Sequence, residues 1–131
     1  MPVNIHKHKH KLDEFTQQYI ETALWSSMDE SDESGGRPLD DHYDVSDIAP
    51  ETLEKMVADA KAFQGAHWDD IKSDPGRAGH DFWLTRNGHG AGFWDGDWPE
   101  PAGGRLSDAA HVYGSFDLLV GDDGMIHGFP L

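Results

Sequence analysis

The sequence predicts an α+β fold: two N-terminal amphipathic helices packed on an antiparallel sheet of two hairpins, the hairpins linked by a short helix in a ββαββ layout. Three observations carry that expectation. Apolar residues recur at helical spacing through 12–27 and again through 50–71. Asn87-Gly88, the dipeptide most favourable to a two-residue type I′ turn, lies between two aromatic-rich runs. Asp122-Asp123-Gly124 separates two further runs of alternating apolar residues. A chain of 131 residues is one domain's worth of core. Residues 12–131 are therefore expected to form a single domain, with an acidic loop at about 29–49, behind a mobile His/Lys tail over 1–11.

In the first helix the stripe is Leu12, Phe15, Tyr19, Ile20, Ala23 and Leu24, with Trp25 on its flank. It must end near Met28, because Asp29-Glu30-Ser31-Asp32-Glu33-Ser34-Gly35-Gly36 is charged, polar and closed by glycine. Pro50 suits the first turn of the second helix, and Glu51 and Glu54 suit the positive end of its dipole. Its stripe runs Leu53, Met56, Val57, Ala60, Phe63, Gln64, His67, Trp68, Ile71, and Asp74-Pro75-Gly76 is read as its stop. His67 on that stripe reads as a packing residue rather than a ligand.

The Asn87-Gly88 turn would place Phe82, Leu84, Phe93, Arg86 and His89 on one face of a hairpin, the last two at its tip. Trp83 would lie across Gly92 and reach toward Trp94 on the other face. Leu106, Ala109, Ala110 and Tyr113 mark the short helix, closed by Gly114. In the final hairpin a three-residue loop with Gly124 in the left-handed region sets Val120 opposite Ile126, and a two-residue turn would set it opposite His127. Patterning favours the first register. The expected core includes Phe15, Ile20, Leu24, Leu53, Val57, Ala60, Phe63, Phe82, Leu84, Phe93, Leu118 and Val120.

Composition excludes several chemistries. There is no cysteine, hence no disulfide, thiolate zinc site or cysteine nucleophile. No apolar run approaches a membrane span, and none follows the basic N-terminus as a secretory signal would, so a cytoplasmic protein is expected. Ser, His and Asp occur in no nucleophile-elbow context, and Gly88, Gly90 and Gly92 do not form a phosphate-cradling loop. His6, His8 and His10 alternate with lysines but have no other ligand type beside them. Asp95, Asp97 and Glu100 lack the remaining oxygens of a calcium loop, so neither metal nor cofactor is expected.

Charge is the strongest functional signal. The net charge is −15, and residues 12–54 hold thirteen carboxylates against Arg37 alone. Eight of them, Asp29, Glu30, Asp32, Glu33, Asp40, Asp41, Asp44 and Asp47, cluster in one polar segment. Such a field repels phosphate backbones and attracts basic proteins, including those that hold nucleic acid. These eight residues are the candidate partner-binding set, and the expected function is association with a basic protein rather than catalysis. A second reading takes Trp83, Arg86, His89, Trp94 and Trp98 as the walls of a small-molecule site. A third takes Asn87, His111 and either His80 or His89 as parts of a ββα-metal nuclease, against which stands the scarcity of cations, only Arg77, Arg86 and Arg105 being near.

The run Asp81-Phe82-Trp83-Leu84-Thr85-Arg86-Asn87-Gly88-His89-Gly90-Ala91-Gly92-Phe93-Trp94-Asp95, followed by an alanine-rich helix and Val120-Gly121-Asp122-Asp123-Gly124, resembles a family of small, uncharacterised bacteriophage and prophage proteins. The likeness extends upstream through Tyr19 to Ser27 and Asp47 to Thr52. It implies a phage or prophage origin and expression in a bacterial cytoplasm, and together with the charge it supports the expectation of a host protein as partner. It implies no catalytic residue.

Overall fold

The structure, a computed structural model, describes residues 12–29, 37–88, 92–93 and 98–130. Helix α1 (Glu14–Ser26) is followed by a short antiparallel pair, β1 (Met28–Asp29) with β2 (Arg37–Pro38), and by two 3-10 turns at Leu39–Asp41 and Val45–Asp47. Three further helices follow: α2 (Pro50–Ile71), α3 (Pro75–Arg86) and α4 (Ala102–Val112). A hairpin of β3 (Phe116–Val120) and β4 (Ile126–Pro130) closes the chain. The tail over 1–11 lies outside the described residues.

The ββαββ expectation is overturned. Phe82 to Arg86 belong to a helix, and the C-terminal hairpin is the one sheet of any length among the described residues. Asp74-Pro75-Gly76, expected to stop the second helix, also starts the next one, and Asn87-Gly88, expected to turn a hairpin, closes that helix. Asp74 is the N-cap of α3, its side chain accepting from the Arg77 N–H at 3.2 Å, and Pro75 occupies the first turn, where a missing N–H costs nothing. At the other end Gly88 takes φ 75°, the left-handed conformation that closes a helix as readily as it turns a hairpin. The Asn87 side chain completes that cap, donating to the Trp83 carbonyl at 3.0 Å and accepting from the Phe116 N–H at 2.8 Å. Between the caps Ala78, Gly79 and every residue from Asp81 to Arg86 are buried, polar ones included, so α3 keeps only a narrow solvent face and its 3.6-residue period is hard to see in sequence.

Helix α1 lies directly on α3. A Cβ at Gly79 would run into the Phe15 carbonyl oxygen, so the absence of a side chain there is what lets the two backbones meet. Across the same contact His80 Nδ1 stands 2.9 Å from Thr22 Oγ1, and the Trp83 indole N–H donates to Ser26 Oγ at 2.8 Å. Asp13 caps α1, accepting from the Thr16 N–H and from Gln64, both at 2.9 Å. Burial works to raise the Asp13 pKa, but those hydrogen bonds outweigh it and hold the carboxyl below its ordinary value.

Aromatic rings fill the space between α1, α2 and α3. Phe63 stacks on Phe82 at 4.2 Å and on Phe93 at 5.6 Å, and Tyr19 stacks on Phe82 at 5.1 Å. Such side chains each contribute roughly 1.5–3 kcal/mol by leaving water. Most of the expected core residues are buried, and Leu53, Val57 and Val120 pack at its edge. Helix α2 kinks at His67 (φ −125°, ψ 19°), whose ring lies 4.7 Å from Phe63; this is a packing role, as its place on the stripe predicts. Beyond the kink Trp68 leaves the core and is half exposed.

In the hairpin Val120 pairs with Ile126 and Gly124 takes φ 79°, the register that apolar patterning favours. Ile126 also bridges Ile48 and accepts from the Ala49 N–H at 2.8 Å, which fastens the hairpin to the start of α2. Among the described residues no helix is long and apolar enough to cross a membrane.

Candidate functional site

Arg86, expected at an exposed hairpin tip, is instead the buried centre of the molecule, with its side chain 1% exposed. Its Nη1 donates to Asp59 Oδ2 and to Tyr19 Oη, both at 2.9 Å. Its Nε donates to the Gly114 carbonyl at 2.8 Å and its Nη2 to the Tyr113 carbonyl at 3.0 Å. The rings of Phe82, Tyr113 and Phe116 lie 5.4–5.7 Å from the guanidinium carbon. The result is a satisfied cation that ties α1, α2, α3 and the segment after α4 together. Burial pushes the Tyr19 phenol up to about 12, although the Arg86 charge opposes that rise. The Tyr113 phenol is raised as well, by burial and by Asp59.

The tryptophan face has a different anatomy from the one expected. Trp83 and Trp98 are buried, and Trp98 donates to Asp81 Oδ2 at 2.6 Å. It is Thr85, not Trp83, that lies against Gly92: a Cβ on Gly92 would run into Thr85 Oγ1, which accepts from the Phe93 N–H at 3.1 Å. His89 and Trp94 lie outside the described residues. The parts of the nuclease reading are each engaged separately, Asn87 in the α3 cap, His80 with Thr22, and His111 Nδ1 2.9 Å from the Ser107 carbonyl oxygen. Among the described residues no group of three or more His, Cys, Asp or Glu side chains is placed to hold a metal ion.

The acidic segment is different. Leu39 is fully buried and donates its N–H to the Ser27 carbonyl at 2.8 Å, which pins the chain beside the end of α1. Nine residues on, Ile48 is pinned against the hairpin. Between these anchors the chain from Asp40 to Asp47 stands along α1 and leaves a groove of about 520 Å³. Its apolar lining comes from Leu12, Ile20 and Leu24 on one side and Tyr43 and Val45 on the other, with Trp25, 45% exposed, at its margin. Among the described residues its charged lining is Glu21, Asp40 and Asp44, with no lysine or arginine.

Several of these carboxylates are already held in place. Gln17 donates to Glu21 at 3.0 Å. Asp44 and Asp47 cap the second 3-10 turn reciprocally, Asp44 accepting from the Ser46 N–H and Asp47 from the Asp44 N–H, both at 2.8 Å. Asp40 and Asp41 are exposed beside them. Glu30, Asp32 and Glu33 lie outside the described residues, as does the side chain of Asp29. Charge counting found the acidic wall but missed Glu21, Trp25 and Tyr43. The usable signal was Trp25, a large aromatic off the buried stripe of α1 and next to an acidic run.

Comparison with known proteins finds no matching family model, curated protein or solved structure.

Proposed function

We propose that this protein works by association, offering an acidic, aromatic-edged groove to a basic surface of a partner protein. One observation carries the reading: the groove joins an apolar floor to the carboxylates of Glu21 and Asp40, which stand on its two sides. Carboxylates so placed steer a basic partner from a distance, while the apolar floor supplies the short-range contact. The net charge of −15 acts in the same direction and repels nucleic acid itself. The resemblance of Asp81 to Asp95 to bacteriophage proteins makes the partner a bacterial host protein, one that handles nucleic acid or serves in defence and is inhibited when carboxylates fill its phosphate-binding surface.

The test is a variant with Asp29, Glu30, Asp32, Glu33, Asp40 and Asp41 changed to Asn or Gln. Asp44 and Asp47 are spared because they cap a turn. The parent should capture a partner from bacterial lysate at low salt and release it as salt shortens the screening length. The variant should capture it more slowly and more weakly. Equal capture at low salt would reduce the acidic segment to a solubilising surface.

A further inference from the structure

We propose that the groove seats an arginine of the partner, its guanidinium laid on the Trp25 indole and its aliphatic neighbour on the floor of Ile20, Leu24 and Val45. The proposal deepens the association reading and rests on it. Trp25 is half exposed, lines the groove and is braced by His80, whose ring stacks on it at 5.9 Å and 28°. A braced indole with free surface is the best aromatic platform for a cation. Carboxylates stand on both walls, Glu21 on α1 and Asp40 on the facing segment. Glu21 is oriented by Gln17 and is preorganised.

Arginine fits this setting better than lysine. Its planar guanidinium stacks on indole while its N–H groups pair with carboxylate oxygens in the ring plane, and it is less strongly hydrated than an ammonium. A groove of about 520 Å³ takes a few side chains of an extended segment and not a whole helix. A second copy of this chain is disfavoured as occupant because each carries −15. Residues 1–11 offer lysines and histidines but no arginine, so a preference for arginine separates them from the occupant proposed here.

The experiment follows the indole N–H signals of the 15N-labelled full chain, Trp25 being assigned by its loss in Trp25→Ala. The titrant is an acetylated, amidated peptide, Gly-Ser-Leu-Arg-Leu-Ser-Gly, compared with versions carrying lysine or citrulline for arginine, or glycine for both leucines. The arginine peptide should shift the Trp25 signal, with lysine about fivefold weaker or more and the citrulline and glycine versions weaker still. In Trp25→Ala, read on backbone signals of the groove, the preference for arginine over lysine should vanish. Equal titration by arginine, lysine and citrulline peptides overturns the proposal, as does an arginine preference that survives Trp25→Ala. So does binding that appears only when residues 1–11 are deleted, which would make that segment the occupant, or a dimer in sedimentation that the peptide dissolves. If the peptides fail while lysate capture still depends on the acidic residues, this proposal falls and the association reading stands. If they succeed while capture ignores those residues, the association reading is the one that fails.

Discussion

At Arg86 one guanidinium, itself out of water, is met by Asp59, the Tyr19 hydroxyl and two backbone carbonyls. Along the groove between α1 and the 39–47 segment, Glu21, Asp40 and Asp44 share a margin with Trp25 and Tyr43, and among the described residues no lysine or arginine lines it. Both places combine charge with aromatic rings, and they differ in balance. Taking an ion out of water costs several kcal/mol unless its partners are fixed around it, so the centre must be neutralised where it stands. Carboxylates in water carry no such requirement, and like charges left together keep a field that reaches a partner. Sequence position does not reveal which of the two a charged residue belongs to.

Breaking the centre should have the largest effect. Arg86→Leu leaves the Asp59 carboxylate, 8% exposed, with Lys55 at 3.0 Å but without its buried guanidinium, and takes the Arg86 donors from two carbonyls. A loss of about 3–5 kcal/mol in urea unfolding is expected. Adding Asp59→Asn should recover part of it; no recovery would place the cost on the stranded carbonyls and not on the carboxylate.

Alkali tests the same centre without a cavity. The Tyr19 phenol ionises near 10.0 in the unfolded chain and at about 12 in the folded one. Its contribution is therefore fully present below pH 10 and is lost as pH rises from there toward 12, by roughly 3 kcal/mol. Tyr19→Phe should flatten this part of the stability profile. Identical slopes for the two proteins would show that the phenol does not titrate as a buried group.

Gly92 lies against Thr85, next in sequence to Arg86, at φ 139°. Gly92→Val should cost about 1–3 kcal/mol, because its Cβ meets the Thr85 hydroxyl and the backbone leaves a conformation open to glycine. An unchanged melting temperature would mean that this wall of the core gives way freely.

The groove should respond in the opposite sense. Asp40→Asn with Asp41→Asn removes exposed charges, and stability should move by about 0.5 kcal/mol or less. The same change should slow association with a basic partner at low salt and have little effect at high salt. A large stability loss from this pair would erase the contrast between the two regions.

Local pattern by itself determined α1, α2, the helix ending at Gly114 and the Val120–Ile126 register, because stripes and left-handed glycines act over a few residues. It also determined the acidic character of 29–47, which needs only counting. Asn87-Gly88 was beyond it. A left-handed glycine after a short polar residue serves a hairpin turn and a helix cap alike, and the choice was made by surfaces distant in sequence. Trp83 finds Ser26 fifty-seven positions away, and Arg86 finds Tyr19 sixty-seven away and Asp59 twenty-seven away. Those partners make α3 buried on almost every side, and a helix with so narrow a solvent face shows little periodicity to read. The groove was decided in the same way. Its walls are separate stretches of chain that stand together only because Leu39 is drawn into the core beside α1 and Ile48 is held against the final hairpin.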